Sequence, residues 1–254
     1  MNRKQIKKLN FFNKKGYVIL DIDKKYINYL KKIKKKIQIK SKNHIKLNKS
    51  YTLENFHEFY FKNNITLNDF RLKMMTELNK NKDFKKKIYS SMSYFFDKCL
   101  GPDVIVQKNL NLVIQKPKDK DRAPFHKDAP ANSSHELVVW LPLVDCHRSM
   151  SMYVFDVSKH NAINNFLKEN ISYKKQEILS KKKGFLPKIK FGQALIFWSN
   201  CYHYIPVNVE HETRWSINLR YKNLFTKYGI KNLLDFYEIL KISPISKLLN
   251  KIEV

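Results

Sequence analysis

His126 and Asp128 stand two residues apart in the segment RAPFHKDAP, and residues at that spacing on an extended strand point to one face. An imidazole and a carboxylate so placed can grip one ion together. A second imidazole at His203, 77 residues on in FWSNCYHYIPVN, completes a 2-His-1-carboxylate set, which leaves three positions open on Fe(II). Those positions suit a bidentate 2-oxo acid and O₂. The triplet alone says little, because 8 His and 12 Asp in 254 residues yield about 0.4 His-x-Asp matches by chance. Its surroundings say more. Arg214 follows His203 by 11 residues, about one strand-turn-strand, where its guanidinium can pair bidentately with a carboxylate. Ser216, two residues further, points the same way. His211 is the alternative imidazole, but it sits in the turn Asn208–Thr213 beside Glu210 and Glu212; Arg220 is the alternative anion anchor.

Strands must position these groups, and the chain turns to strand patterning near residue 103. Val104–Gln115 contains an alternating run with Leu110, Leu112 and Ile114 on one face. A polar loop, Lys116–Pro124, follows, then apolar strands over Leu137–Val144, Met150–Val157, Gly192–Ser199 and Cys201–Val207. The last, Arg214–Tyr221, alternates apolar Trp215, Ile217 and Leu219 with Arg214, Ser216, Asn218 and Arg220, a polar face suited to a cavity that takes an anion. Earlier, Tyr17–Leu20 reads as a short strand. A helix starts near Asp21–Asp23 with Leu30, Ile33 and Ile37 inward, a second runs over Leu67–Leu78, and a third is bracketed by Asp83 and Gly101. Ser158–Gly184 reads as a helical insertion, and Asn232–Asn250 as two short helices, the second begun by Ser243–Pro244. Spaced strands after helices predict a mainly β jelly roll with helical buttresses.

Composition bounds the rest. The net charge of +28 invites a nucleic-acid or membrane-surface reading. However, only 6 of the 50 basic residues are Arg, and Lys, Asn and Ile are inflated together at 44, 25 and 24. Those residues share A/T-rich codons, so coding bias accounts for the excess, and nucleic acid is disfavoured as a partner. The run Lys31–Lys42 carries Ile33 and Ile37 at helical spacing and reads as a solvated helix face. Three widely spaced cysteines, Cys99, Cys146 and Cys201, argue against a disulfide framework or a zinc ribbon. The N-terminus lacks an apolar signal core and no stretch suits a membrane span, so a cytoplasmic protein is expected.

The segments NLNLVIQKP (109–117), FHKDAPANSSHELVVWLPLVDC (125–146), SMSMYVF (149–155), FGQALIFWSN and HYIPVN (191–208) and RWSINLRYKNLFTKYG (214–229) resemble the Fe(II)/2-oxoglutarate-dependent dioxygenases of the phytanoyl-CoA-hydroxylase-like superfamily. More narrowly they are similar to oxygenases encoded sporadically in bacterial carbohydrate-biosynthesis clusters. The resemblance implies a double-stranded β-helix (cupin-like) with N-terminal and C-terminal helices. It implies one oxygenase domain over 1–254, with a helical part to 102, a core over 103–229 and helices after 230. His126, Asp128 and His203 would be the Fe(II) ligands, and Arg214 with Ser216 would hold the far carboxylate of 2-oxoglutarate. Gln115, Glu136, Trp140 and Asn208 match positions near the pocket, with Arg220 a further candidate. Asp128 stands where related halogenases have a small residue, which favours hydroxylation. The substrate implied is a carbohydrate or another small metabolite. Two alternatives stay open: a non-catalytic basic binding protein, and a jelly-roll metalloenzyme with another metal, such as a sugar epimerase.

Overall fold

The computed structural model describes all residues except 48, 61–65, 120–122, 130–131, 168–170 and 253–254, and backbone only at 249–252. Parts of the expected Lys116–Pro124 loop and of the 158–184 insertion therefore lie outside the described residues. Helix α1 (Arg3–Lys15) opens the chain, capped by Asn2, whose side chain accepts from the Gln5 amide while Gln5 returns the bond. Its end is Gly16 at φ 79°, and this helix is absent from the sequence expectation. Strand β1 (Tyr17–Asp21) follows, then α2 (Lys24–His44), begun by the Asp23 carboxylate on the Lys25 amide and burying Leu30, Ile33 and Ile37. Helices α3 (Phe56–Tyr60), α4 (Leu67–Asn79), α5 (Phe84–Ser91) and α6 (Ser93–Leu100) complete the N-terminal part. The expected single helix from Asp83 to Gly101 is thus two. Met92, at φ −135° and ψ 26°, breaks it so that Phe84, Ile88, Phe95 and Phe96 can all reach the core, and Asp83 makes no side-chain cap.

Strands β2 (Val104–Gln107), β3 (Asn111–Gln115), β4 (Glu136–Pro142), β5 (Tyr153–Val154), β6 (Gln193–Trp198), β7 (His203–Tyr204), β8 (Arg214–Asn223) and β9 (Tyr237–Lys241) carry the rest. Helices α7 (His160–Leu167) and α8 (Tyr173–Lys183) fill the insertion, and α9 (Pro244–Ile252) closes the chain with proline in its first position. Two expectations are corrected here. Met150–Val157 holds only the two-residue β5 between short 3₁₀ turns, and Cys201–Val207 only β7. Moreover, the first of the expected C-terminal helices is strand β9, whose buried Tyr237 pairs with Gln107.

Seven strands form one antiparallel sheet in the order β1-β6-β4-β8-β2-β9, with β3 also on β8, and β5–β7 form a small second sheet. Strand β8 is paired by β4 along one edge and by β3, then β2, along the other. The register sorts its side chains into two faces. Trp215, Ile217, Leu219 and Tyr221 align with Leu137, Val139 and Leu141 of β4 and with Leu112 and Ile114 of β3. This face packs on the helices, with Phe56 and Phe70 edge-on to Trp215 at 5.3 and 6.1 Å and Phe96 against Tyr221 at 4.8 Å. Removing Trp215 there would cost ~3–5 kcal/mol. The opposite face presents Arg214, Ser216, Asn218, Arg220 and Lys222 toward the small sheet. The result is a jelly-roll-like fold, mainly antiparallel β with helical cover. Among the described residues no helix is long and apolar enough to cross a membrane.

Candidate metal centre

The polar face of β8 meets His126, Asp128 and His203. Among the described residues these three form the one cluster of His, Cys, Asp or Glu with ligand atoms all within 4.8 Å of one another. His203 belongs to β7. His126 and Asp128 lie in a loop rather than the expected strand, because only single bridges pin it. The His126 amide donates to the His203 carbonyl at 3.2 Å, His203 returns the bond at 3.1 Å, and the Asp128 amide donates to Ser199 at 2.9 Å. The two imidazoles face each other at 4.0 Å between centroids, and Phe197 closes over His203 at 5.0 Å.

Each imidazole is oriented through its other nitrogen. His126 Nδ1 lies 2.8 Å from the Pro124 carbonyl and His203 Nδ1 lies 3.2 Å from the Cys201 carbonyl. A carbonyl can only accept, so both Nδ1 atoms carry a proton and Nε2 is each ring's ligand atom. Those Nε2 atoms stand 3.8 and 4.0 Å from Asp128 Oδ1. Two atoms that each bind one ion at ~2.1 Å can be at most ~4.2 Å apart, so the carboxylate oxygen shares an ion's reach with either imidazole. Protonation fits as well. Burial pushes the His203 imidazole down to about 4, with His126 acting the same way, so His203 is neutral at pH 7. Burial would raise the Asp128 carboxyl, but the charge and hydrogen bond of Arg220 oppose it, and the carboxyl stays below the usual carboxylate value. A neutral imidazole at His203 and an ionised oxygen at Asp128 are what a divalent ion requires.

Beyond the ligands the face divides in two. At one end Arg214, 1% exposed, is in register with Gln115, whose side-chain amide donates to the Pro206 carbonyl at 2.8 Å. Ser216 is wholly buried beside it, and its hydroxyl has no hydrogen-bond partner among the described residues. A buried hydroxyl left open next to a buried guanidinium makes a cradle for a carboxylate. Asn208 ties the turn before Arg214, donating to the carbonyls of Gln115 (3.3 Å) and Glu212 (2.8 Å) and accepting from the Glu210 amide (3.1 Å). Trp140 lies on the same face opposite Asn218 and is buried. His211 is exposed in its turn, away from the ligands.

At the other end Arg220 donates to Asp128 Oδ2 at 2.9 Å and to Gln107 Oε1 at 3.1 Å, and stands 3.6 Å from Glu136 Oε2. The Tyr237 hydroxyl donates to the other Glu136 oxygen. Glu136 is fully buried, and its burial raises the carboxyl above its ordinary value despite the bond from Tyr237 and the charge of Arg220. Next on the strand, Lys222 donates to the carbonyls of Thr226 (2.8 Å) and Lys227 (3.2 Å) under the Tyr228 ring; burial lowers its ammonium to about 8. Gln107, Lys222 and Tyr237 were missed from sequence. The alternation of β8, continued one step past Arg220, would have flagged Lys222. The three cysteines are free, and burial raises each thiol to about 12.

No protein-family model matches the chain, and no curated protein is a significant match to its sequence. Solved structures nonetheless share its fold. The non-heme monooxygenase ThoJ superposes with a TM-score of 0.60 at 12% identity, covering 92% of this chain and 84% of its own. The non-heme alpha ketoglutarate dependent carbocyclase SnoK from nogalamycin biosynthesis gives 0.56 at 12% identity, covering 91% and 88%. EctD from S. alaskensis with bound Fe gives 0.51 at 14% identity, covering 91% and 82%.

Proposed function

We propose that this chain is a single-domain Fe(II)- and 2-oxoglutarate-dependent oxygenase with a double-stranded β-helix core. Its substrate would be a small molecule, a carbohydrate or sugar-bearing precursor, and the reaction a hydroxylation. The observation that carries this reading is the metal-ready triad, met through Arg220 by a face of β8 that also carries the buried Arg214 and Ser216. The shared fold of a non-heme monooxygenase and an alpha ketoglutarate dependent carbocyclase supports it. A carboxylate ligand at Asp128 favours hydroxylation over halogenation.

In this reading His126, Asp128 and His203 hold the iron. Arg214 binds the far carboxylate of 2-oxoglutarate, Ser216 adds a hydroxyl bond, and Gln115 sits beside Arg214 across the strand pair. Bound there, iron and 2-oxoglutarate supply dioxygen activation driven by oxidative decarboxylation, with succinate and CO₂ as co-products. The chain supplies the geometry. The Pro124 and Cys201 carbonyls fix the imidazole tautomers. Strand β8 sets where the cosubstrate's far end is held, while Trp140 and Phe197 keep the inner wall apolar and dry.

Anaerobic addition of Fe(II) and 2-oxoglutarate should give the weak visible charge-transfer band of their chelate, and His203→Ala should abolish it. Folded wild-type protein that shows no band, and no oxygen-dependent succinate release, would sink the reading. Metal analysis separates it from a jelly-roll enzyme built on another ion.

A further inference from the structure

Arg220 is heavily engaged on the inner face, and the proposed reaction gives it no task. It does not project into open space. Its guanidinium touches Asp128 Oδ2 (2.9 Å), Gln107 Oε1 (3.1 Å) and Glu136 Oε2 (3.6 Å), so three elements converge on it: the metal loop, β2 and β4. A fourth, β9, holds Glu136 through the Tyr237 hydroxyl. Such a planar fork is fixed in orientation, not only in charge.

The two oxygens of Asp128 are consequently unequal. Oδ1 faces the imidazole nitrogens at 3.8 and 4.0 Å, whereas Oδ2 is taken by Arg220. We propose that Arg220 is a positioning residue that makes Asp128 a one-oxygen ligand, so that metal positions needed by a bidentate cosubstrate stay open. This rests on the iron and 2-oxoglutarate reading above. Without Arg220, Oδ2 is released and can turn onto the ion as a second donor, occupying a position 2-oxoglutarate needs. Loss of the nearby positive charge acts in the same direction, because it removes a repulsion of the bound cation. Metal binding should therefore be kept or tightened while cosubstrate binding weakens, a combination that general unfolding does not produce.

The test uses Co(II) as the probe ion in the full-length protein without oxygen turnover. Wild type is titrated with Co(II), the d–d spectrum recorded, and 2-oxoglutarate added. Arg220→Met should bind Co(II) at least as tightly as wild type, with an altered d–d spectrum before any 2-oxoglutarate is present, and should bind 2-oxoglutarate ~10-fold or more weakly. Arg220→Lys, which can still donate to Oδ2, should recover much of the wild-type spectrum. A metal-only spectrum identical to wild type in Arg220→Met overturns the proposal, and a fall in 2-oxoglutarate affinity without that change identifies Arg220 as a direct anion contact instead. Should Arg220→Met not fold, the double variant Gln107→Leu/Glu136→Gln strips the anchors of Arg220, and must shift the Co(II) spectrum in the same direction; an unchanged spectrum there overturns it equally. If wild type binds Co(II) but 2-oxoglutarate does not perturb it, the underlying functional reading fails and not this one.

Discussion

At the scale of single residues, the polar face of β8 carries two guanidiniums with different surroundings, Arg214 buried and Arg220 partly buried. Arg220 meets the carboxylates of Asp128 and Glu136, while Arg214 is buried two residues from the open hydroxyl of Ser216. Arg214→Ala should therefore weaken 2-oxoglutarate binding by about 2 kcal/mol or more, and Ser216→Ala by about 1 kcal/mol, both read by titrating the metal-loaded protein. A larger effect at Ser216 than at Arg214 would contradict the assignment. Much of this site is legible in the sequence, because its residues sit at fixed local spacings: His126 and Asp128 two apart, Arg214 and Ser216 two apart on a strand. Glu136 matches a pocket position by resemblance, but it is a wholly buried partner of Arg220 and Tyr237. That contact joins residues 101 apart in sequence, and no local pattern encodes it.

At the scale of elements, the join between α1 and β1 is closely packed. Gly16 adopts φ 79°, and a Cβ there would stand 2.4 Å from Val157 Cγ1 and 2.6 Å from Cys201 Sγ. Its carbonyl accepts from the Trp198 amide at 2.8 Å and from the Cys201 thiol. Gly16→Ala combines left-handed strain with overpacking and should destabilise by about 2–4 kcal/mol. In a chain of this size that is a fall of roughly 4–16 °C in thermal midpoint, measurable by circular dichroism. An unchanged midpoint would show that this join carries no strain. The reason α1 escaped sequence reading is physical: it buries no residue fully, so its apolar stripe is thin among lysines. Strand β9 escaped for a related reason. Only Tyr237 of its five residues is buried, and a half-exposed edge strand leaves too weak a period-two signal.

At the scale of the whole molecule, the two ends of the chain are tied down by carboxylates. Asp156 pairs with Lys15 at the end of α1, and Asp103 accepts from the Ser243 amide (2.7 Å) and hydroxyl (3.1 Å) at the start of α9. Burial opposes ionisation of both, yet these bonds hold both carboxyls below their ordinary value. A lowered folded-state value means that the stability they add is complete above the unfolded carboxylate range and is lost as pH falls through the folded value. Asp103→Asn should accordingly lose less stability than wild type between pH 7 and pH 3, in paired thermal melts. Equal losses would show that this clamp is not an acid-sensitive one. The excess of lysine, by contrast, is spread over helix faces and loops. Its uniformity agrees with coding bias, whereas the arrangement of Arg214 and Arg220 on one face of β8 could not follow from composition.

Strand β8 is bonded along both edges, to β4 on one side and to β3 and β2 on the other. Its residues therefore cannot slide past their neighbours. Deleting or inserting one residue between Arg214 and Arg220 would exchange the polar set for Trp215, Ile217 and Leu219, driving arginines into the aromatic cluster beneath the helices. The connecting turns face no such constraint. In a scan of single-residue insertions and deletions, this seven-residue stretch should be among the least forgiving of the chain, and tolerated length changes should collect in the turns on either side.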